Sequence, residues 1–530
     1  MNSRTLTLGA NTYPVVLPSL RDSRLHVAAV IVTIHVLGQT TLRFHVSVPQ
    51  ILAAILTCAI LEVAITFRQT RMFVWPASAM LTGSGVALIL RVVGTPPDQP
   101  WNTDGWWVFA GVAAFSLMTK YVIKYRGTHV FNPSNIGLVV AFIVLGSTRV
   151  EPLDFWWAPL NVWMITAYAV IIGGGLLITR RLKLLELAAT YWITLALGVG
   201  ILAGSGHCMT ANWAFAPVCG ADFWRVIVTS PEVLIFLFFM ITDPKTTPTG
   251  RVGRVVFAFL VGALSTLLMA PQVDEWGTKV GLLSSLVVVC AARPLLDRLV
   301  PEPRSAADDL RAFGSRLATG GKAGVGALGK AARVGVIVVA FLALGAGIVV
   351  AGAPARGTVP PNTAEILDRV PHAVDPATFP EITVDQDVSD WDHAIEGDGA
   401  RAIVLTLAEN LELENQALIR RDASILPAVD HGDRLTEMQA QLRDAGTAGQ
   451  VVARHYRFDR LTMSLIEPFG VQTGLSLGLD ARGTVTEETY DAGGNLVGSQ
   501  DVPFAHTFVM RRATGDRWLN IGVLPPGEGS

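Results

Sequence analysis

The chain has 530 residues, of which 51% are apolar and only 16% charged, below the roughly one-quarter charged content of an ordinary soluble domain. Four cysteines and a high apolar content exclude a disulfide scaffold, a disordered chain and a collagen-like one. The net charge of −2 hides an asymmetry: residues 1–353 carry 27 Lys+Arg and 16 Asp+Glu, whereas residues 354–530 carry 14 Arg, no Lys and 27 Asp+Glu. The two parts therefore belong to two environments, a lipid bilayer and an acidic soluble domain, and the pattern does not call for nucleic acid as a partner.

Residues 1–23 are polar and read as a cytoplasmic tail without the pattern of a cleavable signal. Apolar runs follow at about 25–42, 46–67, 72–93, 106–123, 134–147, 157–178, 184–203, 223–241, 252–269 and 276–292. Most have the ~20 residues that cross ~30 Å of hydrocarbon; the fifth is short, as a broken or tilted element would be. Residues 24–300 thus predict a ten-span membrane domain, 301–333 a Gly/Ala-rich cytoplasmic linker, and 334–353 an eleventh span. Within the linker, GVGALGKA (324–331) nearly matches a phosphate-binding loop, but Ala331 replaces the required hydroxyl and no strand precedes it, so a flexible linker is the better reading.

Alternate connections carry 22 cations on one side, from Arg4 to Arg333, and the others carry five: Arg43, Arg91, Arg149, Arg225 and Lys279. The excess marks the cytoplasmic side. The expected protein is multi-pass in the plasma membrane, with a cytoplasmic N-terminus and the C-terminal domain outside. Cys208 and Cys219 share an outer loop, where a disulfide fits better than free thiols or a metal site with His207.

Residues 354–386 are Pro-rich and read as a linker; 387–530 read as an α+β domain. Helical periodicity runs from Trp391 to about Ala445, and strands with turns follow from Gln450, with a turn at 492–495. The closing TFVMRRATGDRWLNIGV resembles the last strand pair of cone-shaped domains related to nuclear transport factor 2. Arg454, His455, Glu467 and His506 are candidates to line such a cone, or lie on a solvated sheet face.

Three segments place proline and polar residues at helix starts: FVWPASAMLTGSG (73–85), HVFNPSNIG (129–137) and FFMITDPKTTPTGRVGR (238–254). Pro fixes a first helical turn, and Asn, Asp, Ser and Thr cap it. At membrane depth such breaks occur where they are buried in protein or line a cavity, which makes Asn132, Thr242 and Asp243 candidate cofactor-binding residues. Asp243, before Pro244, reads as a cap near Lys245, Arg251 and Arg254. Three further polar residues fall within spans: His35, Glu62 within reach of Arg68, and Glu232 after Pro231. His35 and Glu232 are candidates for an ion or proton site.

Phe131-Asn132-Pro133, Thr242-Asp243-Pro244 with Pro248 and Gly253-Arg254, and Pro294-Leu295-Leu296-Asp297 occur in an order that resembles RnfD, a membrane component of the Rnf electron-transport complex, and its counterpart NqrB in the sodium-translocating NADH:quinone reductase. The resemblance covers about residues 70–300. It implies a ten-helix inverted-repeat bundle related to urea and ammonium channels, which holds flavin and works with other membrane redox subunits. The UnbU membrane proteins of enediyne biosynthetic clusters are similar. In the redox subunits a Thr in an S-G-A-T-like motif carries flavin mononucleotide. Here the connection is the short STRVEPLDFWW (147–157), with Thr148 followed by Arg149, so covalent flavin is not expected. Non-covalent flavin (FMN or riboflavin) stays open, since the bundle could stack its ring near Trp75 or Trp106/Trp107, although these Trp read better as interfacial anchors. The expected function is a flavin- or quinone-associated component of electron transfer and ion transport, catalytic by itself or not. The alternatives are a channel or transporter on the same bundle, and a membrane anchor for biosynthetic enzymes.

Overall fold

The computed structural model describes the chain apart from residues 1–2, 9–10, 20, 43, 94, 96–98, 148, 154–161, 212–217, 320–329, 356–373, 467–475, 492, 513–516 and 527–530. Two compact units are present, one of residues 1–210 and 218–358 and the other built around 359–530.

The first unit is a bundle of apolar helices: α1 (Ser23–Thr40), α2 (Val48–Thr70), α3 (Ala77–Ile89), α4 (Trp106–Val122), α5 (Pro133–Leu145), α6 (Val162–Arg181), α7 (Leu185–Gly204), α8 (Gly220–Thr229), α9 (Pro231–Ile235), α10 (Arg251–Met269), α11 (Glu275–Ala291), α12 (Arg293–Leu299), α13 (Leu310–Thr319) and α14 (Lys330–Ala351). Every apolar run read from the sequence contains a helix. Among the described residues five helical stretches are long and apolar enough to span a bilayer, and α11 with α12, bent by 59°, makes a sixth. The run 72–93, expected to cross, gives α3, and the short run 134–147 gives α5, each of 13 residues. At 1.5 Å per residue these reach ~20 Å, about two thirds of the hydrocarbon thickness. Pro76 delays the start of α3, and the chain leaving α3 turns extended: Leu90–Val92 pairs with Val150–Pro152. Small residues let the helices approach; a Cβ added at Gly83 would lie 2.4 Å from the Ala54 carbonyl oxygen of α2.

The loops sort into two ends. At one, Arg126 meets Asp297, Arg251 meets Glu186, and Arg293 donates to the carbonyls of Lys245 and Thr246. At the other, Arg91 pairs with Glu151, Lys279 with Glu232, and Cys208 is disulfide-bonded to Cys219 across a two-residue antiparallel pair.

Two segments read as featureless have structure. Ser3–Leu8 and Asn11–Val16 form a hairpin extended by Phe73–Val74, with Tyr13 packed on Phe67 and Phe73; the alternation in RTLTL and TYPVV is the strand signal. In the linker 301–333, Asp308 accepts from the Val252 N–H at 2.9 Å and so caps α10, and residues 310–319 are helical. Residues 324–329 of the near-phosphate loop lie outside the described residues, and Lys330 and Ala331 belong to α14.

The second unit is α+β. A meander of Val451–Ile466, Ser476–Tyr490, Leu496–Arg512 and Trp518–Leu524 is joined by Ile382–Val384, which pairs in parallel with Leu461–Met463. That edge strand falls in the region assigned to linker. The amphipathic helix Asp398–Arg420 buries Ile403, Val404, Leu407 and Leu411 with Leu461, Met463, Leu479 and Phe508. Beside this core Arg434 spends its donors on Glu414 (Nε at 3.1 Å, and Nη2) and on Glu437 at 2.9 Å, while Asn520 donates to Glu414 at 2.9 Å. Asp430 is buried against the same group. Burial, then the Glu414 carboxylate, raise its pKa well above the usual carboxylate range.

The sign of the consequence is fixed. An unfolded Asp ionises near pH ~4, whereas folded Asp430 keeps its proton to higher pH. Its contribution to stability is therefore complete below that unfolded value and is lost as pH rises through the folded pKa. Asp430→Asn should accordingly gain stability relative to wild type as pH rises, and Glu414→Gln should cost about 3–5 kcal/mol by stranding Arg434. Melting of this unit followed by circular dichroism from acid to mildly alkaline pH checks both; a wild-type-minus-Asn difference that does not change with pH would refute the assignment.

Candidate functional site

The eighth apolar run is not one smooth helix. Ser230 ends α8 and caps α9, its Oγ accepting from the Val233 N–H at 3.2 Å with Pro231 in the first turn. The helix then loosens into a π turn, Phe236–Met240, in which the Ile241 N–H reaches the Phe236 carbonyl at 3.0 Å. Pro244 prevents its continuation, because it has no N–H and biases Asp243 away from helix.

The FNP segment meets this end. Asn132 caps α5, its Oδ1 accepting from the Asn135 N–H at 3.2 Å and from Ser134 Oγ at 2.9 Å. Its Nδ2 donates to the Met240 carbonyl at 3.3 Å. Asn135 donates to the Leu283 carbonyl at 3.0 Å and ties α5 to α11. The Pro76 segment completes the group, since Ser78, Thr82 and Gly85 of α3 face the same space.

That space is a cavity of about 500 Å³, within the range of small-molecule sites. Asn132, Thr242 and Asp243 all line it. Its walls include Ile31, Leu88, Ile235 and Phe238, and Asp22, Arg24 and Lys245 add charge. Sequence reasoning missed His129, whose Nε2 lies 3.2 Å from Asp243 Oδ2. The signal was available: a histidine three residues before a capping Asn-Pro sits where that helix meets its neighbour. Asp243 Oδ1 accepts from the Lys245 N–H at 3.0 Å. The expected pairing with Arg251 and Arg254 is corrected, because Arg251 binds Glu186 and Arg254 donates to the Pro248 and Lys183 carbonyls.

Other candidates lie elsewhere. Buried His35 meets Ser84 Oγ at 3.3 Å and links α1 to α3. Glu62 binds Lys120 at 2.8 Å and the Tyr121 hydroxyl rather than Arg68, because α4 packs on that face of α2. Glu232 pairs with Lys279 at the other end of the bundle. Trp75, Trp106 and Trp107 are exposed and are not among the cavity's lining, so a ring stacked on them is not supported there. Thr148 lies outside the described residues. His207 packs on Phe223 at 4.6 Å, and among the described residues no group of three His, Cys, Asp or Glu is placed to hold a metal.

In the second unit Arg454 pairs with Glu487 at 3.0 Å, and His455 touches Glu412 at 3.0 Å and Glu488 at 3.5 Å. The Glu412 hydrogen bond holds His455 above the ordinary histidine pKa. His506 stacks on Phe504, and Glu467 lies outside the described residues. Arg454 and His455, consecutive in one strand, point to opposite faces.

Comparison with known proteins places the bundle. The NQR2, RnfD, RnfE family matches residues 147–305, which include the TDP segment and Pro294–Asp297. The membrane unit is similar to this family over those residues. Curated relatives of the RnfD type, each named as part of an ion-translocating oxidoreductase complex, include that of Alcanivorax borkumensis, 25% identical over 232 residues (34% of this chain, 63% of that protein). Those of Salmonella arizonae and Escherichia fergusonii are 22% and 25% identical, each over 36% of this chain and 68% of the relative. The chain thus spans about two thirds of the length of these relatives. The resemblance to RnfD read from the sequence is borne out.

The geometry separates two roles of Asp243. Asp243→Asn keeps an acceptor for the Lys245 N–H and should fold normally, while Asp243→Ala loses the cap and about 1 kcal/mol. If the charge facing His129 serves a ligand, the Asn variant folds and loses binding or transport. Thermal stability and ligand retention, measured on both variants, decide this; a fully active Asn variant would leave Asp243 a cap alone.

Proposed function

We propose that this chain is an integral membrane component of the RnfD type, in which the cavity between the Pro76, FNP and TDP segments holds a planar redox group, a flavin or a quinone, without a covalent bond. The observation that carries this reading is that Asn132, Pro133, Thr242, Asp243 and Pro244, from the FNP and TDP segments that resemble the redox subunits, line one cavity of suitable size. Its apolar walls suit a ring system. Arg24, Lys245 and the polar groups of Ser78 and Thr82 suit an anionic or carbonyl-bearing end. The missing S-G-A-T motif argues against a phosphoester link. Other membrane redox subunits are the natural partners, since the relatives are named as parts of an ion-translocating complex.

The second unit is proposed to be a cone-like binding module resembling nuclear transport factor 2, supported by the helix Asp398–Arg420 lying on a long meander. A membrane anchor for biosynthetic enzymes, as in the UnbU proteins, would use the same module.

Two measurements test this. The purified protein should show a flavin absorbance band that leaves with the small molecules on denaturation, and Thr82→Trp, which fills the cavity, should abolish it; flavin retained on the denatured chain and lost in Thr148→Ala would establish the covalent link instead. For orientation we propose a cytoplasmic N-terminus and an outer C-terminal domain, supported by the gathering of the cation-rich loops at one end of the bundle. A reporter active only outside the cytoplasm should work after Ser530, and one active only inside should work near Gly320; the reverse pattern would overturn the orientation.

A further inference from the structure

Beyond the large cavity, two small ones lie among the described residues of the bundle, and shared lining residues string the three into a file. Ile89 and Ile235 line both the large cavity and a second of about 30 Å³, whose wall includes Glu232 and Lys279. Glu232 and Lys279 also line a third of about 20 Å³, which reaches Glu275 and Thr278. The file starts beside the His129–Asp243 pair; toward the opposite loops Pro152 borders the second cavity, and the third reaches Met209, next to the Cys208–Cys219 disulfide. The broken helix α9 and its π turn run along it, with Glu232 near one end and Met240 at the other.

The charges define what can pass. Lys279 Nζ lies 2.8 Å from Glu232 and 2.6 Å from Glu275, and all three side chains are largely buried. A buried ammonium between two carboxylates occupies the seat that a metal cation would take. Each small cavity has room for a water or two, and not for a hydrated ion. A proton needs only such waters and titratable groups within hydrogen-bond reach.

We propose that this file is a proton passage across the bundle, with Glu232, Lys279 and Glu275 as its relay and its constriction at Ile89 and Ile235, which border both the large and the second cavity. Glu232, facing the large cavity through the second one, takes up a proton, and Lys279 shifts toward Glu275. Lys279 then gives up a proton at the far end and, as a neutral amine, takes the one held by Glu232; this restores the three-way pairing, so one proton leaves for each that enters. The inference does not depend on which ligand fills the large cavity.

The test uses the purified full-length chain in liposomes that contain a pH-sensitive dye, with a valinomycin-set potassium diffusion potential. Wild type should acidify the lumen at least ten-fold faster than protein-free liposomes, and sodium tracer should not enter. Glu232→Gln and Lys279→Met should each reduce the rate at least ten-fold, as should Ile89→Trp, which plugs the constriction. Correct folding is read from monodisperse elution and melting temperature. Glu232→Gln, nearly isosteric, should keep any bound flavin, so proton flux and flavin content report separately. Wild-type flux equal to that of empty liposomes, sodium entry, or undiminished flux in folded Glu232→Gln would each overturn the proposal.

Discussion

The membrane unit depends on one backbone constraint. In an uninterrupted helix the Met240 carbonyl would accept from the N–H of residue 244, but residue 244 is proline. A carbonyl left bare in the low-dielectric interior costs on the order of 1–3 kcal/mol. The Asp243 N–H offers a long bond of 3.4 Å, and the side-chain amide of Asn132 supplies the other donor. The same Asn132 caps α5 through its other amide atom. One side chain therefore closes two broken helices against each other. Because neither backbone continues through the junction, space remains beside it, and that space is the large cavity.

This explains why the motif residues were legible and their contacts were not. Proline and a capping residue at a helix start are local signals, so Asn132, Thr242 and Asp243 could be singled out without a partner in view. The partner of each is set by packing between distant helices. Asp243 faces His129, 114 positions away in sequence, and Glu62 faces Lys120 and Tyr121 on α4 rather than Arg68 further along its own helix. A long-range neighbour that fixes the geometry wins over an exposed local cation, whose pairing contributes little. Apolar periodicity located the membrane helices among the described residues but overestimated α3, since hydropathy does not register where a proline delays a helix or where the chain turns extended.

The second unit shows the complementary case. Its helix-then-meander order was readable from periodicity. The parallel strand Ile382–Val384 was not, because three residues beside a Pro-rich stretch carry no pattern of their own and are stabilised by the ladder to Leu461–Met463. Its buried charges were equally silent. Glu414 lies in a helix rich in acidic residues, most of them solvated, and only the arrival of Arg434 and Asn520 from later elements shows that this one faces inward.

The two units handle buried charge by different means. In the second unit Arg434 is saturated by Glu414 and Glu437, and the remaining carboxyl, Asp430, is pushed toward its neutral form by burial and by the Glu414 carboxylate. In the bundle Lys279 is shared between Glu232 and Glu275, each at the edge of a small cavity. An ammonium is a compact, rotatable donor that exchanges partners, whereas a guanidinium fork locked on a carboxylate does not. Lysine between two carboxylates suits a place where charge must move, and arginine on one carboxylate suits a place where it must not.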